Sequence, residues 1–328
     1  MKSLILRTIF LLACCQVLPL CAGASPLGVA GYYNEFIFGD IVQWNTDSEG
    51  RVAAGGNVAY YNVSVASKVE VVDNPADVEL AVGKDLYWKN GSVGYFPTIN
   101  SGDPNFKKGD IYVGGNTYFG KDATGYSTVT YGDRVNSNPV DFSSEQKYLQ
   151  DASSIWGGLS PNGKVENIYG NLQLRGSDTA LNIFTLSVWD FVNIGDFRIY
   201  APEGSTVLVN IAGDVAQMKN FGFYFNDLYG DKDELGLFPD DQILYNFFEA
   251  TSLSIAGIEV HGSVLAPWAD TQFFDGHIEG NLIAKSLFGT GEAHNELFNG
   301  KLPVPEPQTW ILLGIGLAGI SALRRRMI

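Results

Sequence analysis

Only three histidines occur in this chain of 328 residues, and two of them face carboxylates in a repeated frame. "EVHGSVLAP" at 259–267 and "HIEGNLIAK" at 277–285 match in pattern, an 18-residue offset. Val260 aligns with Ile278, Gly262 with Gly280, Val264 with Leu282, Leu265 with Ile283 and Ala266 with Ala284. If coils stack in that register, Glu259 lies over His277 and His261 over Glu279. All four side chains then share one face, because each pair is two apart along its strand. Parallel neighbours sit ~4.8 Å apart, so each stack sets an imidazole beside a carboxylate, a pairing that can hold a metal or grip a sugar. The plainer account is two exposed ion pairs worth ~0–1 kcal/mol each. Both accounts need the paired Cα atoms about one strand spacing apart.

A second cluster of chemistry-bearing residues lies at 226–242, "NDLYGDKDELGLFPDDQ". Asp227, Asp231, Asp233, Glu234, Asp240 and Asp241 supply hard oxygen ligands that could bind Ca²⁺, although their spacing departs from the EF-hand pattern and acidic loops are usually solvated. No other cofactor is expected. Catalytic constellations are missing. Ser144-Glu-Gln-Lys147 fits S-x-x-K, but neither S-D-N nor K-T-G follows. There is no G-x-S-x-G elbow, no P-loop and no H-E-x-x-H. The G-x-G-x-x-G spelled by Gly314, Gly316 and Gly319 has no strand before it and no ribose-binding acid after it. The many carboxylates could still supply an acid/base pair for glycoside chemistry.

The elements that must position these residues read as β structure. Glycine is abundant (38), charged residues are only 17% of the chain, and aromatics are plentiful, a mixture suited to a turn-rich β protein. The formal net charge is −15. Setting aside Lys2, Arg7, Arg324, Arg325 and Arg326 leaves 16 basic against 36 acidic residues, near −20. Such a surface is repelled by nucleic-acid phosphates and anionic headgroups, which excludes nucleic acid as a partner.

In the N-terminal half, Ala53-Ala54-Gly55-Gly56-Asn57-Val58, Ala81-Val82-Gly83-Lys84-Asp85-Leu86 and Tyr112-Val113-Gly114-Gly115-Asn116-Thr117 align at spacings of 28 and 31. Each joins a short apolar strand to a tight Gly-Asn or Lys-Asp corner, where positive φ is cheap for Gly and tolerable for Asn or Asp. Val207, Val209 and Ile211 alternate as a half-buried strand should. The reading is all-β, a right-handed parallel β-helix of three-sided coils of about 18 residues. One amphipathic helix packs alongside. Its stripe is Phe142, Leu149, Ala152, Trp156 and Leu159, with Asp141 or Ser143 as cap and Gly157-Gly158 as stop.

Both termini read as addresses. Residues 1–24 form a signal peptide with Lys2 and Arg7 in front and an apolar run behind. Ala22-Gly23-Ala24 is the signal-peptidase site and Ser25 the first mature residue. The lipobox-like Leu11-Leu12-Ala13-Cys14 is disfavoured, because Arg7 leaves only six apolar residues before it. Cys14, Cys15 and Cys21 all precede the cleavage site, so the mature protein has no thiol chemistry. Residues 304–328 are the sorting and anchor segment. Residues 310–323 carry no charge and would span ~21 Å as a helix. Trp310 stands at the outer edge and Arg324, Arg325 and Arg326 at the inner one, which puts the C-terminus in the cytoplasm.

Pro305-Glu306-Pro307 ahead of that helix, with the arginines behind it, resembles the PEP-CTERM sorting signal. The resemblance implies recognition by an exosortase-type membrane protease, an inner-membrane-anchored intermediate, and delivery to the surface or extracellular matrix of a Gram-negative, exopolysaccharide-making host. A plain C-terminal membrane anchor is the alternative. The body of the chain, 25–303, is similar to the choice-of-anchor A family. The blocks that carry this are "YNEFIFGDI", "SEGRVAAGGNVAYYNVSVAS", the "PVDF" helix, "LNIFTLS", "IYAPEGSTVLVNIAGD", "ILYNFFEATSLSIAG" and "GSVLAPWADTQFFDGHIEGNLIAKSLFGTGEAHN". That family has no established catalytic residues, so none carries over. The "VLAP" stretch is also similar in coil pattern to ice-binding β-helix proteins, although threonine is irregular here where ice binding favours a flat threonine array. The function implied is a surface-sorted structural or adhesive protein of an exopolysaccharide or biofilm matrix. The alternative is a carbohydrate-active enzyme, a polysaccharide lyase or hydrolase, on the same scaffold.

Overall fold

Short apolar runs bounded by Gly, Asn and Asp give strands too brief to stand alone, so each is stabilised by lying on the equivalent strand of another coil. The computed structural model describes residues 25–69, 78–95, 106–230 and 237–304. Ala22, Ala24, Pro305, Glu306, Pro307, Arg324, Arg325 and Arg326 lie outside them, as do Asp231, Asp233 and Glu234. Among the described residues no helix is long and apolar enough to cross a membrane. Ser25 opens the first turn: its carbonyl accepts from Gly28 N–H at 2.9 Å and its Oγ from Leu27 N–H at 3.2 Å.

The strands stack in parallel ladders. The first runs Leu181–Ser187, Thr206–Ala212, Ile243–Asn246, the start of Ser263–Glu279, Leu282–Gly289, Glu35–Ile37, Val52–Ala54, Leu80–Val82, Ile111–Val113 and Arg134–Val135. The chain therefore enters in the middle of the stack and winds to one end. It then restarts at the other end and winds back until residues 282–284 meet 35–37. The predicted alignment is observed, with Val260 against Ile278, Val264 against Leu282 and Ala266 against Ala284. The glycine repeats also stack as aligned, Ala53 on Ala81 on Tyr112. A coil of uniform length is not observed. Offsets on this ladder are 17 from Glu35 to Val52, 28 from Val52 to Leu80 and 31 from Leu80 to Ile111. Loops of different length leave the coil between rungs of constant register. A separate five-stranded sheet spans Lys164 to Tyr229.

The glycines of the repeats act differently from expectation. None of Gly55, Gly83 and Gly114 has positive φ. Instead each lies against the backbone of the coil before it. A Cβ would come within 2.4 Å of the Phe38 carbonyl oxygen at Gly55, 2.5 Å of that of Gly55 at Gly83, and 2.4 Å of that of Gly83 at Gly114. The left-handed corners fall elsewhere, at Asn45, Asn62 and Asn90 with φ of 51°, 53° and 61°. Asparagine tolerates that region better than other non-glycine residues. The three amides also form a ladder, Asn90 donating to Asn62 and Asn62 to Asn45, each at 2.9 Å.

The helix α1 (Phe142–Gly157) covers the outer side of the first ladder. Asp141 caps it, accepting from Ser144 N–H at 3.2 Å. Leu149, Ala152 and Trp156 are buried with Phe36, Ala53, Leu208, Leu244, Leu265 and Ile283 from successive rungs. This is why Thr206–Ala212 is buried on both sides and not on one. Val207, Val209 and Ile211 fill the coil interior, while Leu208 and Asn210 meet the helix.

Candidate functional site

The register read from the repeat sets Glu259 beside His277 and His261 beside Glu279 as Cα partners. The side chains then part company. His261 is buried, and its Nδ1 lies 2.9 Å from Asp240 Oδ1, with Phe238 packed on its ring at 4.4 Å. It makes no exposed pair with Glu279. The reason is local: residues 237–242 cross above that rung and bring Asp240 to it. His277 Nε2 stands 3.8 Å from Glu259 Oε2 and 3.3 Å from Glu279 Oε1.

Glu279 turns the other way along the ladder, to a histidine that the repeated frame does not reach. The next rung is Glu292–His294, reached by a shorter coil, with His277 against Glu292 and Glu279 against His294. His294 Nδ1 lies 2.6 Å from Glu279 Oε1 and its Nε2 3.3 Å from Glu292 Oε1. The His277 and His294 rings stack at 4.2 Å, 13° from parallel. One rung further is the N-terminal half, where Ser48 pairs with Ala293 and Glu49 N–H donates to the Ala293 carbonyl at 2.8 Å. Glu49 is held by Lys68 and also accepts from Asn295 N–H at 3.2 Å. The cluster thus lies across the seam where the two halves of the chain dock. The signal available in the sequence was "GEAH", a third E-x-H-like spacing after "EVH" and "HIE".

Titration follows from this crowding. Burial pushes Glu279 up, but hydrogen bonds from His277 and His294 outweigh it and hold the carboxyl well below its usual range. Burial lowers His294, but hydrogen bonds to Glu279 and Glu292 outweigh it and raise the imidazole to about 10. Asp47 is pushed up to about 6 by burial and by repulsion from Glu292. Carboxylates outnumber cations here.

The acidic run behaves as separate contacts where it is described. Asp227 accepts from Tyr200 Oη at 2.8 Å and Arg198 Nη1 at 3.3 Å, Asp240 meets His261, and Asp241 accepts from Gln242 Nε2 at 2.9 Å. The two groups of three metal-capable side chains among the described residues are His277, Glu279, His294 and Glu49, Glu292, His294.

A second feature was missed in the sequence altogether. The glycine repeats continue into Val58-Ala59-Tyr60-Tyr61, Leu86-Tyr87-Trp88-Lys89 and Thr117-Tyr118-Phe119. In the second ladder these rungs stack in parallel on Ile41–Ser48 and on residues 286–289 and 270–274. Alternation sends Tyr60 and Trp88 into the core and the neighbours outward. One outward row is therefore Gln272, Phe288, Val42, Ala59, Tyr87, Tyr118. Tyr87 and Tyr118 stack at 4.6 Å and 8° while each remains nearly half exposed. Trp44 lies 5.1 Å from Phe288 and 6.1 Å from Phe274, and Lys89 caps Tyr61 at 5.5 Å. This is a broad aromatic surface on a rigid sheet, open to solvent.

No curated protein matches the chain. Among solved structures, an ice-binding protein from an Antarctic Biological Consortium aligns over 85% of this chain and 94% of its own, at 13% identity and a TM-score of 0.35. One from the ascomycete Antarctomyces psychrotrophicus covers 87% and 100%, at 10% identity and 0.35. The Shewanella frigidimarina ice-binding protein covers 85% and 99%, at 13% and 0.34. Residues 303–326 match the PEP-CTERM protein-sorting motif. The family model described as "Putative Ice-binding-like adhesive domain" matches residues 26–295, a span that takes in the ladders, the helix and the histidine cluster, and the chain belongs to that ice-binding-like adhesive domain family.

Proposed function

We propose that this protein is an exported, surface-sorted adhesin whose aromatic ladder holds a neutral polysaccharide of the surrounding matrix. The observation that carries the reading is the stacked, half-exposed Tyr87–Tyr118 pair, continued by Phe288, Trp44 and Phe274 on the same sheet. An exposed apolar patch on a rigid face marks a binding surface, and aromatic rings offer flat apolar faces that match the C–H faces of pyranose rings. The net charge of −15 argues against a polyanionic ligand. The face also lacks a regular threonine array for ice: its outward row holds Gln272, Phe288, Val42, Ala59, Tyr87 and Tyr118. The PEP-CTERM motif supports export through an inner-membrane intermediate and exosortase-type processing. The narrower choice-of-anchor A assignment and the right-handed, three-sided form of the coil belong to this proposal.

The test is retention of the host's own exopolysaccharide by the purified chain. Retention without new reducing or unsaturated ends is expected, and new chain ends would favour the carbohydrate-active enzyme. Tyr87→Ala with Tyr118→Ala should weaken retention by about 10- to 100-fold, since each stacked ring contributes roughly 1 kcal/mol. Unchanged retention by this double variant would sink the aromatic face as the site.

Calcium at residues 226–242 stays a separate proposal, resting on mutual repulsion of closely spaced carboxylates that a bound cation relieves. Protease cleavage within this run is expected to slow in millimolar Ca²⁺. The same cleavage pattern with and without chelator would end the idea.

A further inference from the structure

We propose that His277, Glu279 and His294 form a site for one divalent transition-metal ion of the zinc type, seated beside the seam between the two halves of the chain. The ligand atoms of the three residues all lie within 4.8 Å of one another. Tetrahedral ligands at ~2.0–2.2 Å from a zinc ion stand about 3.3 Å apart, and His277 Nε2 is already 3.3 Å from Glu279 Oε1. His294 Nδ1 approaches the same oxygen at 2.6 Å. Small rotations of side chains that are each about a fifth exposed bring all three around one centre.

The donor set selects the ion. Two imidazoles and one carboxylate suit zinc, nickel or copper, whereas calcium takes six to eight oxygens. The partners behind the ligands fit as well. His294 Nε2 faces Glu292 at 3.3 Å, and a carboxylate that accepts the far N–H of a histidine turns its other nitrogen toward the metal. Here that nitrogen is Nδ1, the one aimed at Glu279. Glu259, 3.8 Å from His277 Nε2, stands where a fourth ligand or the partner of a bound water would be.

Charge points the same way. Asp47, Glu49, Glu259, Glu279 and Glu292 surround two imidazoles, and Lys68 is already engaged by Glu49. A divalent ion brings positive charge to this excess and is reached by both imidazoles, stacked at 4.2 Å, and by a carboxylate at once. Because the ligands stand on residues 277–294 and the next rung is Ser48, the ion would also brace the place where residues 46–48 dock.

The chain has three histidines in all, so imidazole NMR of the full chain, cysteines alkylated, reads each one. One equivalent of Zn²⁺ is expected to move the His277 and His294 signals and leave His261, which is buried against Asp240. Ca²⁺ at the same concentration should leave the His277 and His294 signals in place. His277→Ala or His294→Ala should weaken binding by about 100-fold, and Glu292→Gln, a positioning residue, by about 10-fold. Unmoved His277 and His294 at millimolar Zn²⁺, equal movement of all three, or an equal response to Ca²⁺ would each overturn the site. If an alanine variant fails to fold, the wild-type spectra decide. Polysaccharide retention involves the second ladder and is read separately.

Discussion

Replacing Asn246 with leucine is expected to cost on the order of 3–5 kcal/mol of folding stability. Asn246 is fully buried between the first ladder and α1, and every polar atom of its side chain is used. Its amide donates to the Ser153 carbonyl and to Asn210 Oδ1, both at 2.9 Å, and its Oδ1 accepts from Ser153 Oγ at 2.6 Å. Asn210 in turn donates to the Trp156 carbonyl at 2.7 Å, and Trp156 Nε1 to the Pro303 carbonyl at 2.7 Å. Leucine keeps the branched four-atom side chain but is bulkier, so some overpacking adds to the main loss, three partners stranded without water at roughly 1–3 kcal/mol apiece less what local relaxation recovers. Urea unfolding measures it. Pairing the change with Asn210→Leu should cost less than the sum of the two, because they share one bond. A loss under about 1 kcal/mol would mean that the helix is held by its apolar stripe alone.

The second large effect is in the pH dependence. Glu35 points into the coil interior from the strand that closes the seam, with Leu282 on one side and Val52 on the other. Burial pushes its carboxyl up to about 7, and the hydrogen bond from Gln43 Nε2 at 2.8 Å recovers only part of that cost. A folded pKa above the unfolded value means that the folded state binds the proton more tightly. Its stabilising contribution is complete below about 4.5 and is lost as pH rises through about 7. The rise from 4.5 to about 7 corresponds to roughly 3 kcal/mol. Glu35→Gln removes the titration, so the stability difference between wild type and variant should swing by about that amount, in the variant's favour, between pH 4.5 and pH 8. Parallel stability curves for the two proteins across this range would show that Glu35 titrates alike in the folded and unfolded states, so that its burial carries no such cost.

What the sequence determined by itself is the contact between neighbouring coils. In a parallel stack equal positions lie over one another, so a pattern that recurs along the chain states its own pairing. Val260 on Ile278 and Ala53 on Ala81 on Tyr112 could be read in that way. The amphipathic stripe of α1 was legible for the same reason, since helical periodicity marks one face. The role of the glycines was not: a backbone that nearly touches the next coil and a corner with positive φ both call for glycine, and only coordinates separate them. Nor was the closing of the stack. Glu35 lies beside Leu282 without any shared repeat, because the two halves meet by burying each other's open ladder edges. The candidate site depends on that tertiary step. His277 and Glu279 follow from the register, but a shorter coil brings in His294 and Glu292, and docking of the N-terminal half brings in Asp47 and Glu49. The aromatic face has the same origin, since its rows gather one or two rings from each of several coils and no single strand contains the surface.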